Sequence, residues 1–447
     1  MTLIKSISGI RGIVNSGFDE SIITQYAIAF SKIQPEGVIL IARDGRKHGL
    51  QFSKKLSEIL ISLSRDVVDC GIIPTPTAQF IVKENNYSGG IIITASHNPS
   101  EWNGLKFIDI DGCFLSPQKN IKLLSSPIEK YNKLSTNRKK IDYNSQSISQ
   151  HIKNIIGLSY IDIEKIRNKK YKIVVDAVNS SGSKIIPELL KEMGCEVITI
   201  NCNSDGTFSR GAEPLAHNLT ELSESVLKTN SNLGIATDPD GDRLAIVDEK
   251  GNPLGEEFTL VVCCDSILKQ HTIKNPIVTN LSTSMAIDKL ADKYNVKVKR
   301  TKVGEINVVD KMKIENSIVG GEGNGGVILS ESHYGRDSLV AISLFLNRLS
   351  MERITVSELY NKLPHYEIVK DFIKTEDNLN QNFINTIKQK FNPNQIDELD
   401  GVKLIWPDKW IHIRKSNTEP IVRFYAESEN LEDSKILITK SKELFTN

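Results

Sequence analysis

Val38-Ile39-Leu40-Ile41-Ala42, then Arg43-Asp44-Gly45-Arg46, an amphipathic stretch over residues 49–64, and Val67-Val68-Asp69-Cys70 read in the order strand, turn, helix, strand. An unbroken apolar run suits a strand buried on both faces, and a helix of this length returns the chain to a parallel neighbour. The plan recurs twice. Lys172-Ile173-Val174-Val175-Asp176 leads through Asn179-Ser180-Ser181-Gly182 and a helix from Lys184 to Met193 into Glu196-Val197-Ile198-Thr199-Ile200. Pro276-Ile277-Val278-Thr279 leads through Ser282-Thr283-Ser284 and a helix from Met285 to Tyr294 into Val296-Lys297-Val298. A repeat of about a hundred residues predicts related α/β units with mixed or parallel sheets, because solenoid periods are far shorter.

The last stretch reads differently. Val402–Trp406, Trp410–Arg414 and Ile421–Tyr425 are strand-like, and a helix from Glu432 to Phe445 closes the chain, which predicts a smaller α+β unit. Polar stretches at Asn132–Gln150, Asp248–Gly255 and His365–Asp377 read as linkers. The expected units are 1–145, 152–252, 255–364 and 370–447. A chain of 447 residues exceeds what one core usually supports, which agrees with three or four units.

Composition narrows the function classes. Hydrophobic residues make up 39% and charged residues 25%, the balance of a soluble globular protein. Lys+Arg 56 against Asp+Glu 55 gives a net charge of +1, so no global field favours nucleic acid or an anionic membrane. Any anion site must be local. Met1-Thr2-Leu3-Ile4-Lys5-Ser6 lacks the apolar core of a signal peptide, and no stretch approaches the ~20 apolar residues of a bilayer span. Cys70, Cys113, Cys195, Cys202, Cys263 and Cys264 show no Cys-x-x-Cys pairing. Reduced thiols in a cytoplasmic protein are the expectation.

Four loops carry chemistry. Thr94-Ala95-Ser96-His97-Asn98-Pro99 ends the apolar strand Gly90-Ile91-Ile92-Ile93, which puts a hydroxyl on a rigid base. Ser96 is a candidate nucleophile, with a plain turn as the alternative. Asp238-Pro239-Asp240-Gly241-Asp242-Arg243 lies between the strand-like runs Leu233–Ala236 and Leu244–Val247. Carboxylates at alternate positions of a tight loop can converge on one hard cation, and magnesium is the expected ion. A calcium EF-hand is disfavoured, since Arg243 stands where that loop needs Gly and strands flank it; a solvated acidic turn is the other alternative.

Gly320-Gly321-Glu322-Gly323-Asn324-Gly325-Gly326 contains a formal G-x-G-x-x-G, but Val327-Ile328-Leu329 then looks like a strand, so the dinucleotide reading fails. Glu322 and Asn324 are the side chains with reach there, an acceptor and an amide suited to sugar hydroxyls, against a plain turn. Arg414-Lys415-Ser416-Asn417-Thr418-Glu419-Pro420, with Arg423 beyond, offers guanidinium, hydroxyl and amide donors that match a phosphate dianion. An exposed polar hairpin is the alternative.

Together these loops resemble the α-D-phosphohexomutase family over nearly the whole chain and in the right order. Ser8-Gly9-Ile10-Arg11-Gly12 is similar to its N-terminal signature, Thr94 to Pro99 to its phosphoserine loop, Asp238 to Arg243 to its metal loop, Gly321 to Gly325 to its sugar loop, and Arg414 to Pro420 to its phosphate loop. The serine and metal loops are specific as a pair. The resemblance implies four domains around one central cleft, three of them homologous α/β domains and the fourth a smaller α+β domain.

It also implies a chemistry. Ser96, carried as phosphoserine and primed by a hexose 1,6-bisphosphate or a kinase, would pass its phosphoryl group to a hexose monophosphate. The bisphosphate formed would turn over in the cleft and return its other phosphate. One Mg²⁺ per chain would sit on Asp238, Asp240, Asp242 and the phosphorylated Ser96. Arg11 and Arg243 would stabilise the moving group. Lys106, in Asn103-Gly104-Leu105-Lys106, would be the general acid/base, which requires a lowered pKa to accept a proton. His97 is a further partner, with a purely structural hydrogen bond as its alternative. Arg414, Ser416, Asn417, Thr418 and Arg423 would grip the phosphate that stays behind. The partners implied are small sugar phosphates, with neither nucleic acid nor membrane, on a monomer or homodimer.

Two departures bear on the sugar. Many phosphomannomutase/phosphoglucomutase members have Gly-His in the third-domain loop, where this chain has Lys302-Val303-Gly304-Glu305. The sugar loop reads Glu-Gly-Asn-Gly-Gly instead of Glu-x-Ser-Gly-His. Both variants resemble the phosphoglucosamine mutases, particularly an archaeal-like branch, with phosphomannomutase/phosphoglucomutase as runner-up. A carboxylate at Glu305 would favour the ammonium of glucosamine phosphate. A metal-dependent phosphatase, which would release inorganic phosphate, and a non-catalytic sugar-phosphate sensor are the rivals from other classes.

Overall fold

A computed structural model of the chain describes residues 3–127, 141–375, 379–416 and 420–446. The first sheet is built from β1 (Ile4–Ser6), β2 (Gly9–Ile13), β3 (Val38–Arg43), β4 (Asp66–Ile72), β5 (Gly89–Ile93), β6 (Trp102–Ile108) and β7 (Ile141–Tyr143), in the order β1-β2-β6-β5-β3-β4-β7. The second has β8 (Lys172–Asp176), β9 (Glu196–Ile200), β10 (Leu233–Thr237) and β11 (Leu244–Val247), in the order β11-β10-β8-β9. The third has β12 (Ile277–Asn280), β13 (Val298–Thr301), β14 (Val319–Glu322) and β15 (Gly326–Leu329), in the order β13-β12-β14-β15.

One motif underlies all three sheets. A central strand has parallel neighbours on both sides, and the second of these turns back into an antiparallel partner: β4-β3-β5-β6, β9-β8-β10-β11 and β13-β12-β14-β15. The connections β5–β6, β10–β11 and β14–β15 are thus one structural position used three times. They carry Ser96, the three aspartates and the sugar loop, at the carboxyl ends of parallel strands, where open α/β sheets place ligands.

The repeats share one large core beside smaller apolar clusters. Phe80, Ile173, Leu260 and Leu339, drawn from all three units, belong to one continuous apolar cluster. All residues of the helix Ser338–Ser350 are buried, as is most of the helix Glu256–Leu268. Helices apolar all round cannot face water, so they become the shared interior.

The fourth sheet comprises β16 (Glu367–Lys374), β17 (Gln395–Asp397), β18 (Val402–Ile405), β19 (Lys409–Lys415) and β20 (Ile421–Ser428), all antiparallel, in the order β16-β20-β19-β18-β17. Its two faces differ. Val402, Leu404, Ile411, Ile413, Val422 and Phe424 pack with the helices Gln381–Phe391 and Leu431–Thr446 into a core of their own. The opposite face presents polar groups to the third unit. Lys403 Nζ donates to the Leu281 carbonyl at 2.6 Å, the Met285 amide donates to Glu427 Oε2 at 2.8 Å, and His412 Nδ1 meets Ser282 Oγ at 2.9 Å.

Two stretches read as linkers contain strands. β7 lies within 132–150 and pairs parallel to β4, and β16 lies within 365–377 and pairs with β20. Both are edge strands with largely open side chains, so their composition is polar and imitates a linker. The strand read at Val296–Val298 lies at Val298–Thr301. Among the described residues no helix is long and apolar enough to cross a membrane.

Burial drives the pKa of His412 down to about 3, and its Nε2–H donates to the Asp400 carbonyl at 2.6 Å. An unfolded histidine titrates near ~6.5. Below that pH the unfolded chain takes up a proton that the folded chain refuses. Stability therefore falls by about 1.4 kcal/mol per pH unit until the folded value is approached. In urea unfolding between about pH 6 and pH 4, His412→Gln should lose stability less steeply than the parent chain. Equal slopes would refute this.

Candidate active site

β5 ends at Ile93, and the chain turns sharply so that Ser96 takes a left-handed φ of 50°. For a non-glycine residue this costs on the order of 1–3 kcal/mol and persists only where neighbours enforce it. The Ser96 amide donates to Thr94 Oγ1 at 2.9 Å, and Thr94 Oγ1 donates to Asp44 Oδ2 at 2.6 Å. Arg46 Nη2 donates to the carbonyls of Ser96 at 2.7 Å and Asn98 at 2.6 Å, while its Nε sits 3.0 Å from Asp44 Oδ2. The backbone is fixed by this pair, and the Ser96 hydroxyl remains as the group with chemistry to offer.

Ser96 Oγ lies 3.4 Å from His97 Nδ1, and Arg243 Nη2 lies 3.1 Å from the same nitrogen. An arginine can only donate, so this Nδ1 is an acceptor whose lone pair is engaged. Burial, then the Arg243 and Arg11 charges, push the imidazole well below its ordinary pKa, so His97 is neutral. Arg11 Nη1 donates to Asn98 Oδ1 at 2.8 Å, and Arg243 Nη1 pairs with Glu213 Oε1 at 3.1 Å.

Asp238, Asp240 and Asp242 are buried, and each offers an oxygen within 4.8 Å of the others. Asp238 Oδ1 accepts from the Asp242 amide at 3.1 Å and the Arg243 amide at 3.2 Å. Asp240 Oδ2 accepts from Lys106 Nζ at 2.6 Å and Thr75 Oγ1 at 2.9 Å, and Asp242 Oδ2 accepts from Arg336 Nη2 at 2.6 Å. The other oxygen of each aspartate is buried without a hydrogen bond. Three such oxygens at one spot fit a hard cation, since leaving them unsatisfied is costly.

The charges answer one another. Burial, then repulsion from Asp242 and Asp240, drive Asp238 well above the usual carboxylate range. Asp240 is pushed up by burial, but Lys106 overcomes that and holds it well below. Burial would lower Lys106, yet Asp240 and Asp242 keep it above its ordinary value. That direction is opposite to the lowered lysine that a base would require.

In the sugar loop the glycine run is partly strand, for Gly320 and Gly321 belong to β14 and Gly326 opens β15. Glu322 Oε1 accepts from Asn280 Nδ2 at 2.7 Å and the Gly304 amide at 3.0 Å, and Oε2 accepts from Arg336 Nη1 at 2.9 Å. Asn324 Oδ1 accepts from the Gly326 amide at 3.2 Å. A Cβ on Gly323 would sit 1.8 Å from Glu257 Oε2, so a side chain there would have to displace that carboxylate. Glu305 is buried against Arg336 at 3.1 Å, and burial pushes it up to about 7 despite that guanidinium. Lys302 is exposed and does not join the cluster.

On the fourth sheet Arg414 lies directly opposite Arg423. Arg414 is buried, where burial lowers its pKa and Asp400 and, more weakly, Glu322 oppose that. Ser416 follows β19, while Asn417 and Thr418 lie outside the described residues. Sequence reasoning passed over Arg336 and the Asp44–Arg46 pair. Asp44-Gly45-Arg46 was legible only as a turn, and the signal near Arg336 is the helix start Asp337-Ser338 before an apolar run.

The chain matches family models described as phosphoglucomutase/phosphomannomutase alpha/beta/alpha domain I over residues 3–133, domain II over 149–251 and domain III over 256–366. It is 34% identical to a phosphoglucosamine/phosphogalactosamine mutase of Sulfurisphaera tokodaii, over 98% of this chain and 97% of that one. Identity to a phosphoglucomutase/phosphomannomutase of Thermococcus kodakarensis is 32%, over 96% and 95%. The solved structure of a phosphoglucomutase/phosphomannomutase family protein from Burkholderia thailandensis superimposes with a TM-score of 0.83 at 23% identity, covering 98% and 97% of the chains, a likeness of fold.

The aspartate cluster yields a test by thermal unfolding. Magnesium at a hundredfold excess over its dissociation constant should stabilise the chain by about 2.7 kcal/mol. Asp238→Asn keeps an Oδ1 for the two amides while removing a repelled charge. In EDTA this variant should melt at or above the parent temperature, and magnesium should barely move it. An undiminished magnesium shift would show that the ion binds elsewhere.

Proposed function

The chain belongs to the phosphoglucomutase/phosphomannomutase family, and from that premise we propose that it interconverts the 6- and 1-phosphates of glucosamine through phosphorylated Ser96. The observation that carries this reading is convergence. The three equivalent hairpin loops meet, with Lys106 beside Ser96's strand joined to Asp240 at 2.6 Å, and Arg336 joining Asp242 to Glu322.

In the first half-reaction the sugar hydroxyl oxygen bonds to phosphorus as the Ser96 Oγ–P bond breaks. The proton leaving that hydroxyl ends on Ser96 Oγ. The second half-reaction reverses both transfers at the other end of the bisphosphate, so atoms and charge balance over the cycle. As an ammonium, Lys106 is proposed to give a proton to Ser96 Oγ and to regain one from the sugar hydroxyl, with Arg11 and Arg243 stabilising the moving phosphoryl. Asp238, Asp240 and Asp242 would hold magnesium with a phosphate oxygen on Ser96, and the ion supplies charge neutralisation there. Arg414, Ser416, Asn417, Thr418 and Arg423 would hold the phosphate that is not moving, so binding energy far from C1 or C6 positions the reacting hydroxyl. All six cysteines are unpaired, which suits a cytoplasmic setting.

Glu305 supports an amino sugar, since a buried carboxylate pairs well with an ammonium. A neutral hexose phosphate is the second reading, because Arg336 already balances Glu305. A coupled assay across glucosamine, glucose, mannose and N-acetylglucosamine monophosphates separates them. Glu305→Gln should lower the kcat/KM ratio of glucosamine 6-phosphate over glucose 6-phosphate by the equivalent of ~1–3 kcal/mol.

Ser96→Ala should cost thousands-fold or more in turnover, roughly 4 kcal/mol of barrier at the least. Intact-mass measurement of the parent protein should show a phosphate on Ser96 that sugar monophosphate discharges. Normal turnover by the alanine variant would overturn the reading.

A further inference from the structure

Both oxygens of Glu305 are held by one residue. Oε2 accepts from Arg336 Nε at 3.1 Å and Oε1 from the Arg336 amide at 3.3 Å. Glu305 opens the helix Glu305–Glu315 directly after Gly304, whose φ is +123°, so nothing in its own backbone fixes where the carboxylate points. The same guanidinium donates through Nη1 to Glu322 and through Nη2 to Asp242. Its three nitrogens are thereby engaged, which makes Arg336 a holder of other groups and leaves it little to offer a substrate.

Arg336 itself stands on a rigid base. A Cβ on Gly326 would sit 2.3 Å from Arg336 Cδ, so the bare glycine lets the arginine stem lie across the end of the sugar loop. The next residue, Asp337, caps the helix Ser338–Ser350 by accepting from the Leu339 amide at 2.8 Å. Its other oxygen lies 3.1 Å from both His151 Nε2 and His333 Nε2. Ser338 Oγ donates to the Gly241 carbonyl of the aspartate loop at 2.7 Å. A guanidinium anchored on both sides can impose an orientation on the carboxylates it meets.

We propose that Arg336 is the positioning residue for sugar selection: the preference for an amino sugar belongs to the Glu305–Arg336 pair, with Arg336 aiming the carboxylate that receives the ammonium. The inference rests on the amino-sugar reading above. Replacing the Arg336 side chain removes the Nε bond and leaves the Glu305 carboxylate only the backbone amide at 3.3 Å, so its direction is no longer fixed from two sides. The contact with Asp242 affects every sugar alike, so it cancels in a ratio of specificities.

The test is a cycle of Glu305→Gln, Arg336→Gln and the double variant, assayed with magnesium on glucosamine 6-phosphate and glucose 6-phosphate. In the parent background Arg336→Gln should lower the kcat/KM ratio for the amino sugar at least fivefold, mainly through a higher KM for that sugar. In the Glu305→Gln background it should change the ratio less than twofold. Arg336→Lys, which keeps the charge without the fork, should fall between parent and glutamine, and it serves alone if Arg336→Gln does not fold. A ratio lowered by Glu305→Gln but untouched by both Arg336 variants would overturn the inference and spare the amino-sugar reading. Equal losses in the two backgrounds would also overturn it. If Glu305→Gln leaves the ratio unchanged, the amino-sugar reading falls and takes the inference with it.

Discussion

The centre of this protein depends on burying more carboxylates than cations. Asp238, Asp240, Asp242, Glu305 and Glu322 face Lys106, Arg243 and Arg336, and every one of these groups is largely shut off from water. Such a cluster is tolerable only if each charge is paired and hydrogen-bonded. The pairing is nearly complete, and its shortfall is local: one unbonded oxygen on each aspartate and the Arg243 Nε beside them. The imbalance is what suits the loop to a divalent ion. It also explains the opposed pKa directions of Asp238 and Asp240, which differ because Lys106 reaches only the second.

Topology delivers these charges to one place. Because β5–β6, β10–β11 and β14–β15 are the same connection in three copies, each unit contributes its loop at the carboxyl edge of its sheet. The copies have diverged in what they present: a hydroxyl, a set of acids, a buried glutamate. Cross-links then weld the loops together. Leu244, just beyond the aspartates, donates its amide to the Gly325 carbonyl at 3.0 Å, and Gly45 donates to Ser180 Oγ at 2.9 Å. The common apolar interior keeps the three edges in register, so a shift in one unit is felt by the others.

Much of this was legible in the chain because it is local. Apolar runs such as Val38–Ala42 and Ile91–Ile93 announce buried strands, and the spacing of Asp-x-Asp-x-Asp announces three carboxylates on one tight loop. What stayed hidden is whatever depends on distant partners. Arg336 has no motif of its own; its importance lies in reaching Asp242, 94 positions away, and Glu305, 31 away. Glu305 could be read as an anion but not as one already held. β7 and β16 were taken for linkers because edge strands carry polar side chains. The merged core escaped because periodicity tells which face of a helix is apolar and nothing of which unit covers it.

The fourth unit obeys a different logic. Its apolar residues are spent on its own helices, and it meets the third unit through hydrogen bonds and the pair of Lys370 with Glu256 at 2.6 Å. A polar contact of this kind costs less to break than an apolar one. On the same sheet Arg414 and Arg423 stand directly across a strand pair, where like charges repel. Arg414 Nε is moreover buried without a hydrogen bond. Asp400 and Glu322 offset part of that repulsion, and a phosphate dianion at this pair would offset it further. In the proposed mechanism the phosphate that stays behind both relieves that repulsion and ties the fourth unit to the other three. Substrate binding and closure of the cleft then become one event, driven by the end of the sugar that does not react.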